Sequence, residues 1–224
     1  MYKDRRDAGR QLAARLLAYK VADPVVLALP RGGVPVGYEV ALALDAPLDV
    51  IVVRKLGAPG EPELAIGAVT EGDHPQSVLN RDVMRLLHVS DDYLRREVAV
   101  EAHEIQRRLA CYRSGRVPAP IEGRTAIVVD DGIATGASMR AALRGVRRQH
   151  PKRLVLAVPV APQDTIDALG AEVDNLVCLL TPVYFHAVGQ FYADFGQTHD
   201  DEVIRLLDMA RDRHRVGDGA AAGA

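Results

Sequence analysis

The sequence predicts an α/β fold: a doubly wound, mostly parallel, five-stranded sheet with an inserted helical hood. Three observations carry this. Short apolar runs rich in β-branched residues recur along the chain, and most are followed by a stretch with apolar residues at helical spacing. The joints between them are polar and rich in Gly, Pro and Asp. Alternation of this kind favours parallel strands joined by crossover helices on both faces. With 224 residues, 48% hydrophobic and 26% charged, the chain has ordinary globular composition and the length for one sizeable domain.

Taken in order, residues 5–19 form a helix on the spacing of Leu12, Leu16 and Tyr19, broken by Ala22-Asp23-Pro24. Residues 25–29 are a strand buried on both faces. The turn Pro30-Arg31-Gly32-Gly33 follows, then a helix over 35–44. A second strand, 49–53, ends in Arg54-Lys55, and the Gly- and Pro-rich segment 56–63 reads as a mobile loop on the ligand side of the sheet. Residues 64–71 are a strand of flap or hairpin type. The block 72–123 interrupts the alternation and reads as an inserted lid or hood. It contains a short helix around Val83 and Leu86, and a long one over 91–112 that Ser90 can cap. The third strand includes Ile127-Val128-Val129; the fourth is 153–160 and the fifth 175–180, separated by helices after Met139 and over 163–169. A last helix covers 200–213. The expected organisation is one domain, 1–215, with a disordered tail over 216–224.

Several function classes are excluded or disfavoured. A net charge of -2 gives no electrostatic reason to expect nucleic acid. Cys111 and Cys178 lack metal-like spacing and read as reduced thiols of a cytoplasmic protein. No apolar run reaches the roughly 18 residues of a membrane span, and the first residues are too charged to open a secretory signal. The aromatics gathered near the C-terminal end, Tyr184, Phe185, Phe191, Tyr192 and Phe195, have two readings: packing of the last loop, or stacking on a planar base.

The chemistry concentrates between Ile127 and Ser138. Three apolar residues run into Asp130-Asp131, then a loop of small residues carries Thr135 and Ser138 into a helix. A helix N-terminus with hydroxyls and backbone N–H groups is an anion site. Carboxylates at the end of a parallel strand lie where open α/β sheets hold ligands. A phosphate in the loop with sugar hydroxyls on the carboxylates suits both. No Lys follows, so this is not a nucleotide-binding P-loop. Gly32 and Gly33 let backbone approach a ligand, and Arg31 offers a fork of donors to phosphate oxygens. Arg54 and Lys55 at a strand end add two further cations.

These residues resemble the type I phosphoribosyltransferases. Residues 129–138 look like that family's signature for 5-phosphoribosyl 1-diphosphate, Pro30-Arg31-Gly32-Gly33 like its pyrophosphate loop, and Arg54-Lys55 like the start of its flexible catalytic loop. The resemblance implies that Asp130 and Asp131 bind the ribose 2′- and 3′-hydroxyls and that Ala134, Thr135, Gly136, Ala137 and Ser138 bind the 5′-phosphate. It implies roles in catalysis for Arg31, Lys55 and Asp131, and in substrate binding for Gly32, Gly33 and Arg54. The pyrophosphate loop of the family often contains a non-proline cis peptide. Mg²⁺ is the implied cofactor, held mainly by substrate oxygens with no certain protein ligand.

The implied activity is transfer of the phosphoribosyl group to a nitrogenous base or similar nucleophile with release of pyrophosphate. Glu61, Glu63 and Glu71 are candidate bases by position. The family is often dimeric, so a homodimer is expected. Two departures bear on the acceptor. Ala134 stands where hypoxanthine-guanine enzymes carry an Asp, and the segment after Lys55 lacks the second Lys of the adenine-type branch. Two other readings compete: a sensor or binding module for phosphoribosyl diphosphate or nucleotides, and hydrolysis with water as acceptor.

Overall fold

Alternate residues of the central strands enter two separate cores, and this period of two arranges the molecule. The computed structural model describes residues 1–71 and 76–221. The chain runs α1 (Arg5–Leu16), β1 (Pro24–Ala28), α2 (Gly33–Leu44), β2 (Leu48–Val50), β3 (Val53–Ala58), β4 (Glu61–Thr70), β5 (Gln76–Leu79), α3 (Arg81–Leu86) and α4 (Asp91–Arg113). It continues with β6 (Thr125–Val129), α5 (Ala137–Arg147), β7 (Arg153–Val160), α6 (Gln163–Gly170), β8 (Asn175–Leu180) and α7 (Asp200–Ala221).

On one face of the sheet, Val25 and Leu27 of β1, Val128 of β6 and Leu154 and Leu156 of β7 pack with Met139, Leu143 and Val146 of α5 and Leu169 of α6. On the other, Val26, Ile127, Val129 and Val155 pack with Leu12 and Leu16 of α1 and Val36, Val40 and Leu44 of α2. The sheet order is β2-β1-β6-β7-β8, every neighbouring pair parallel, which is the expected five-stranded doubly wound α/β architecture. β1 and β6 are hydrogen-bonded neighbours but not consecutive in sequence. The chain therefore winds outward in opposite directions from them. Their C-terminal loops diverge and leave a crevice, the switch point of the sheet.

The segment expected as a mobile loop is instead a β-hairpin. β3, β4 and β5 form a second, antiparallel sheet, and the chain reverses at Pro59-Gly60, with Gly60 at φ 77°. The Gly–Pro pattern marked the turn; the strand propensity lay in the alternation of Leu56 and Ala58 with smaller residues, both now buried with Ile66 and Val69 against α4 and α7. Ser90 caps α4 by accepting from the Tyr93 N–H at 3.2 Å, as its position predicted. One buried cluster fastens this region to the main sheet. Arg113, at the end of α4, donates through Nε to Asp49 at 3.0 Å, through Nη1 to Glu71 at 2.7 Å and through Nη2 to the Val50 carbonyl at 3.1 Å.

The final helix extends to Ala221, so residues 216–221, expected as a disordered tail, are helical; residues 222–224 lie outside the described residues. So do residues 72–75 of the expected hood. Among the described residues no helix is long and apolar enough to cross a membrane.

Candidate active site

Both loops at the switch point leave buried strands, and two glycines let them touch. The Leu29 N–H donates to the Val129 carbonyl at 2.9 Å, which closes the β1–β6 pair just before the loops part. The Pro30–Arg31 peptide is cis. At Gly32 a Cβ would overlap the Asp131 Oδ2 atom; at Gly33 it would come within 2.9 Å of the Asp130 Cα and the Val129 carbonyl. Only residues without side chains permit this approach. The sequence-predicted pyrophosphate loop and ribose acids thus share one crevice.

Asp130 Oδ1 accepts from the Asp131 N–H at 2.8 Å. Asp131 Oδ2 accepts from the Nε of Arg5 at 2.7 Å, with both side chains only 13% exposed. Burial pushes both carboxyls above the ordinary range, Asp130 furthest because the Asp131 charge adds to its desolvation; Arg5 opposes the shift of Asp131. The carboxylates are thus buried acceptors whose ionisation is costly and is supported by one arginine. The Tyr192 hydroxyl donates to the Asp131 carbonyl at 2.5 Å.

The loop that follows is held from beneath and open above. The Ile133 N–H donates to the Val160 carbonyl and the Thr165 hydroxyl to the Ala134 carbonyl, both at 2.9 Å. Gly136 sits at φ 76°, a conformation other residues resist, and starts α5. Ala134, Thr135, Ala137 and Ser138 are exposed on this cradle while Ile133 and Met139 are buried below it. Two recesses flank it. One, about 410 Å³, lies between the hairpin sheet and α5 and is lined by Ala68, Arg81, Thr135, Ala137 and Arg140. The other, about 840 Å³, is lined by Thr135, Gln163, Thr165, Thr181 and Phe185.

The expected cations divide. Arg31 stands beside the crevice, its Nη1 3.8 Å from Asp200, which also accepts from the Tyr112 hydroxyl at 2.6 Å. Lys55 is exposed on β3 directly opposite Ala68, so it projects from the same face of the hairpin as the wall of the smaller recess. Arg54, expected in substrate binding, is turned away from Lys55. It points to the other face, where it donates to Glu101 of α4 at 2.6 Å and ties hairpin to helix. Strand alternation is the reason: adjacent residues of β3 cannot both face the crevice.

Of the candidate bases, Glu71 is engaged by Arg113 and pushed upward chiefly by burial, Glu61 is exposed at the hairpin turn, and the Glu63 side chain lies outside the described ones. The aromatic segment packs on the chain's own N-terminal residues. Tyr192 lies 5.3 Å from Tyr2 and 5.0 Å from Phe195 between ring centroids, and Phe185 stacks on Phe191. Long helix α4, expected to cover the site, packs beside β2, the hairpin and α7. The groups that meet Asp131 come from α1 and from the segment before α7: Arg5, Tyr192 and, against Arg5, Phe195. Sequence reasoning missed Arg5 because one charge on an amphipathic helix carries no signal of a partner 126 residues away.

Fold and crevice together define a doubly wound α/β protein whose glycines, carboxylates and helix N-terminus converge at the switch point. A family model described as phosphoribosyl transferase domain matches residues 2–194, and the chain belongs to that family. Two Mycobacterium tuberculosis proteins, from strains H37Rv and CDC 1551 and provisionally named phosphoribosyl transferases, are each 50% identical over all 224 residues. The chain spans only 49% of their length. The crystal structure of TT1426 from Thermus thermophilus is 45% identical and superposes with a TM-score of 0.80, covering 92% of this chain and 97% of that one.

Proposed function

We propose that this chain transfers the 5-phosphoribosyl group of 5-phosphoribosyl 1-diphosphate to a nitrogenous base or similar nucleophile, releasing pyrophosphate. One observation supports the reading: Gly32 and Gly33 pack directly on Asp131 and Asp130, which brings the loop assigned to the diphosphate against the acid pair assigned to the sugar. In this reading the 5′-phosphate takes the N–H groups and hydroxyls of Ala134 to Ser138. Asp130 and Asp131 accept from the ribose hydroxyls, and the diphosphate lies along Arg31-Gly32-Gly33.

Transfer breaks the bond between ribose C1 and the diphosphate oxygen, which keeps the electron pair, and forms a C1–N bond to the acceptor. Positive charge builds on the ribose ring as negative charge builds on the departing diphosphate. Donors fixed in advance at the second charge stabilise the transition state more than the ground state, by about 3–4 kcal/mol for one well-placed donor. Arg31 and Lys55 are assigned that role. The acceptor's proton passes to a base, for which Glu61 is favoured by exposure over Glu71. Among the described residues no group of three or more His, Cys, Asp or Glu gathers as a metal site. The reading takes Mg²⁺ as an ion that keeps most of its water and would be held mainly by diphosphate and ribose oxygens. When bound it would neutralise diphosphate charge.

The reading includes a cytoplasmic setting and a homodimer, the latter checked by sedimentation. The test of activity is pyrophosphate release with Mg²⁺, the sugar diphosphate and a panel of bases. Base-dependent release supports transfer, and release without a base supports hydrolysis. A sensor is the second reading, favoured by one observation: with Arg54 committed to Glu101, the hairpin presents Lys55 without the second Lys of the adenine-type pattern. Binding with no release on any base would favour it.

A further inference from the structure

Arg5 is the group that the family signature does not contain and that the site cannot ignore. It is the first residue of α1, yet its guanidinium leaves that helix for the crevice. Three restraints fix it there. Nε donates to Asp131 Oδ2 at 2.7 Å, Nη1 donates to the Gly196 carbonyl at 2.6 Å, and the guanidinium carbon lies 3.8 Å from the centroid of the Phe195 ring. A side chain held by an ion pair, a carbonyl and an aromatic face has lost the freedom of an ordinary surface arginine. Its position also closes a gap. Gly32 covers the Asp131 carboxylate on one side, and Arg5 bonds the same oxygen.

We propose that Arg5 is a positioning residue of the sugar site, holding the Asp131 carboxylate oriented toward the ribose hydroxyls and linking it to the C-terminal segment through Gly196 and Phe195. The inference rests on the assignment of Asp131 to the ribose. It adds that α1 and the segment before α7 set the affinity of the crevice: α1 supplies the counter-charge, and residues 195–196 hold the counter-charge in place.

The groups facing Asp131 make the consequence specific. They are Asp130 from its own loop, Arg5 from α1 and Tyr192 from the segment before α7, with the uncharged Gly32 from the β1 loop and Arg31 next to it paired to Asp200. Burial disfavours charge on Asp131, Arg5 favours it most and a hydrogen bond with Asp130 favours it further, and Tyr192 is pushed upward and stays neutral. A cation at this distance typically holds an aspartate down by about 1–3 pH units. Without it, the crevice loses its charged acceptor at a higher pH.

The test is calorimetric binding of 5-phosphoribosyl 1-diphosphate with Mg²⁺ between pH 5 and 8, comparing the native chain with Arg5→Met, Arg5→Lys and Phe195→Leu. Arg5→Met is expected to bind about tenfold more weakly at pH 7, the size of one lost charge-assisted contact. Its acid limb should move upward by about one unit or more. Arg5→Lys restores the limb but not the full affinity, and Phe195→Leu falls between. Carbon-detected NMR titration of the Asp131 carboxyl without ligand follows the same shift, even in an Arg5→Met variant of lowered thermal midpoint. If the native chain binds and Arg5→Met shows the same affinity and pH profile, this inference is overturned while the site reading stands. If the native chain does not bind, the site reading fails and takes the inference with it.

Discussion

Two arginines in this molecule each serve a pair of buried acids, and the pairs do different work. Arg113 sits between Asp49 and Glu71 under the hairpin; Arg5 sits against Asp131, with Asp130 beside it. All of Arg5, Asp131, Arg113, Asp49 and Glu71 have side chains 10–14% exposed. At the hairpin every guanidinium nitrogen type has a partner, and Asp49 also accepts from the Val50 N–H at 2.8 Å and the Ala119 N–H at 2.9 Å. That network joins β2, the residue after β4 and α4, and it lines a recess of about 470 Å³. At the switch point, Asp131 takes one arginine nitrogen and faces a crevice lined by glycine backbone. Equal burial therefore does not separate a structural acid pair from a binding one. What separates them is how the acids are held: Asp49 accepts from Arg113 and two backbone N–H groups, whereas the Asp131 side chain accepts from Arg5 beside the glycines of the β1 loop.

The largest break in this comparison comes from Arg113→Met. It strands two acids in a buried setting, and loss of one partner from a buried ion pair costs about 3–5 kcal/mol. Urea unfolding should show that loss, while the folded fraction keeps its affinity for the sugar diphosphate. A cost under about 1 kcal/mol would mean the hairpin cluster is no more structural than a surface pair. Asp131→Asn comes next, with the opposite division. The fold is retained and affinity falls by about 10–100-fold, corresponding to about 1.5–3 kcal/mol for a hydrogen bond to a charged group. Unchanged affinity in a calorimetric titration would remove Asp131 from the site.

Asp130→Asn sharpens the contrast through pH. Its carboxyl is raised by burial and by the Asp131 charge, so the native state favours the neutral form. The stability this group allows is fully present below the ordinary aspartate range and is lost as pH rises through the raised value. The asparagine variant should therefore melt at a higher temperature than the native chain at pH 7. The gap should close as pH is lowered below that range. A variant less stable at pH 7 would contradict the direction. The smallest effect belongs to Arg54→Ala, since the Arg54–Glu101 pair is partly exposed. About 0.2–1 kcal/mol of stability is at stake, read by hydrogen exchange in β3, with no direct loss of sugar binding.

The same contrast explains what could be read from the chain alone. Four of the five parallel strands were legible as apolar runs, and the switch-point loops because their chemistry is packed into Pro30 to Gly33 and Asp130 to Ser138; the strand expected over 49–53 is instead the short β2 (Leu48–Val50) with Val53 opening β3. The hairpin was half legible: Pro59-Gly60 announced a turn, but a run broken by Arg54 and Lys55 concealed strand pairing. Of the expected tail, residues 216–221 belong to α7, which continues through Gly217 and Gly219 despite their low helix propensity. Arg5 with Asp131 and Arg113 with Asp49 were invisible. They lie 126 and 64 residues apart, and a lone charge on a helix looks the same whether it faces water or an acid.

The central claim is that one crevice at the β1–β6 switch point holds a doubly phosphorylated sugar. A crystal structure with 5-phosphoribosyl 1-diphosphate and Mg²⁺ bound tests it most directly. The account predicts the 5′-phosphate on residues 134–138, the ribose hydroxyls on Asp130 and Asp131, and the diphosphate along Arg31-Gly32-Gly33. Ligand bound elsewhere, or none bound in the crevice at saturating concentration, would contradict it.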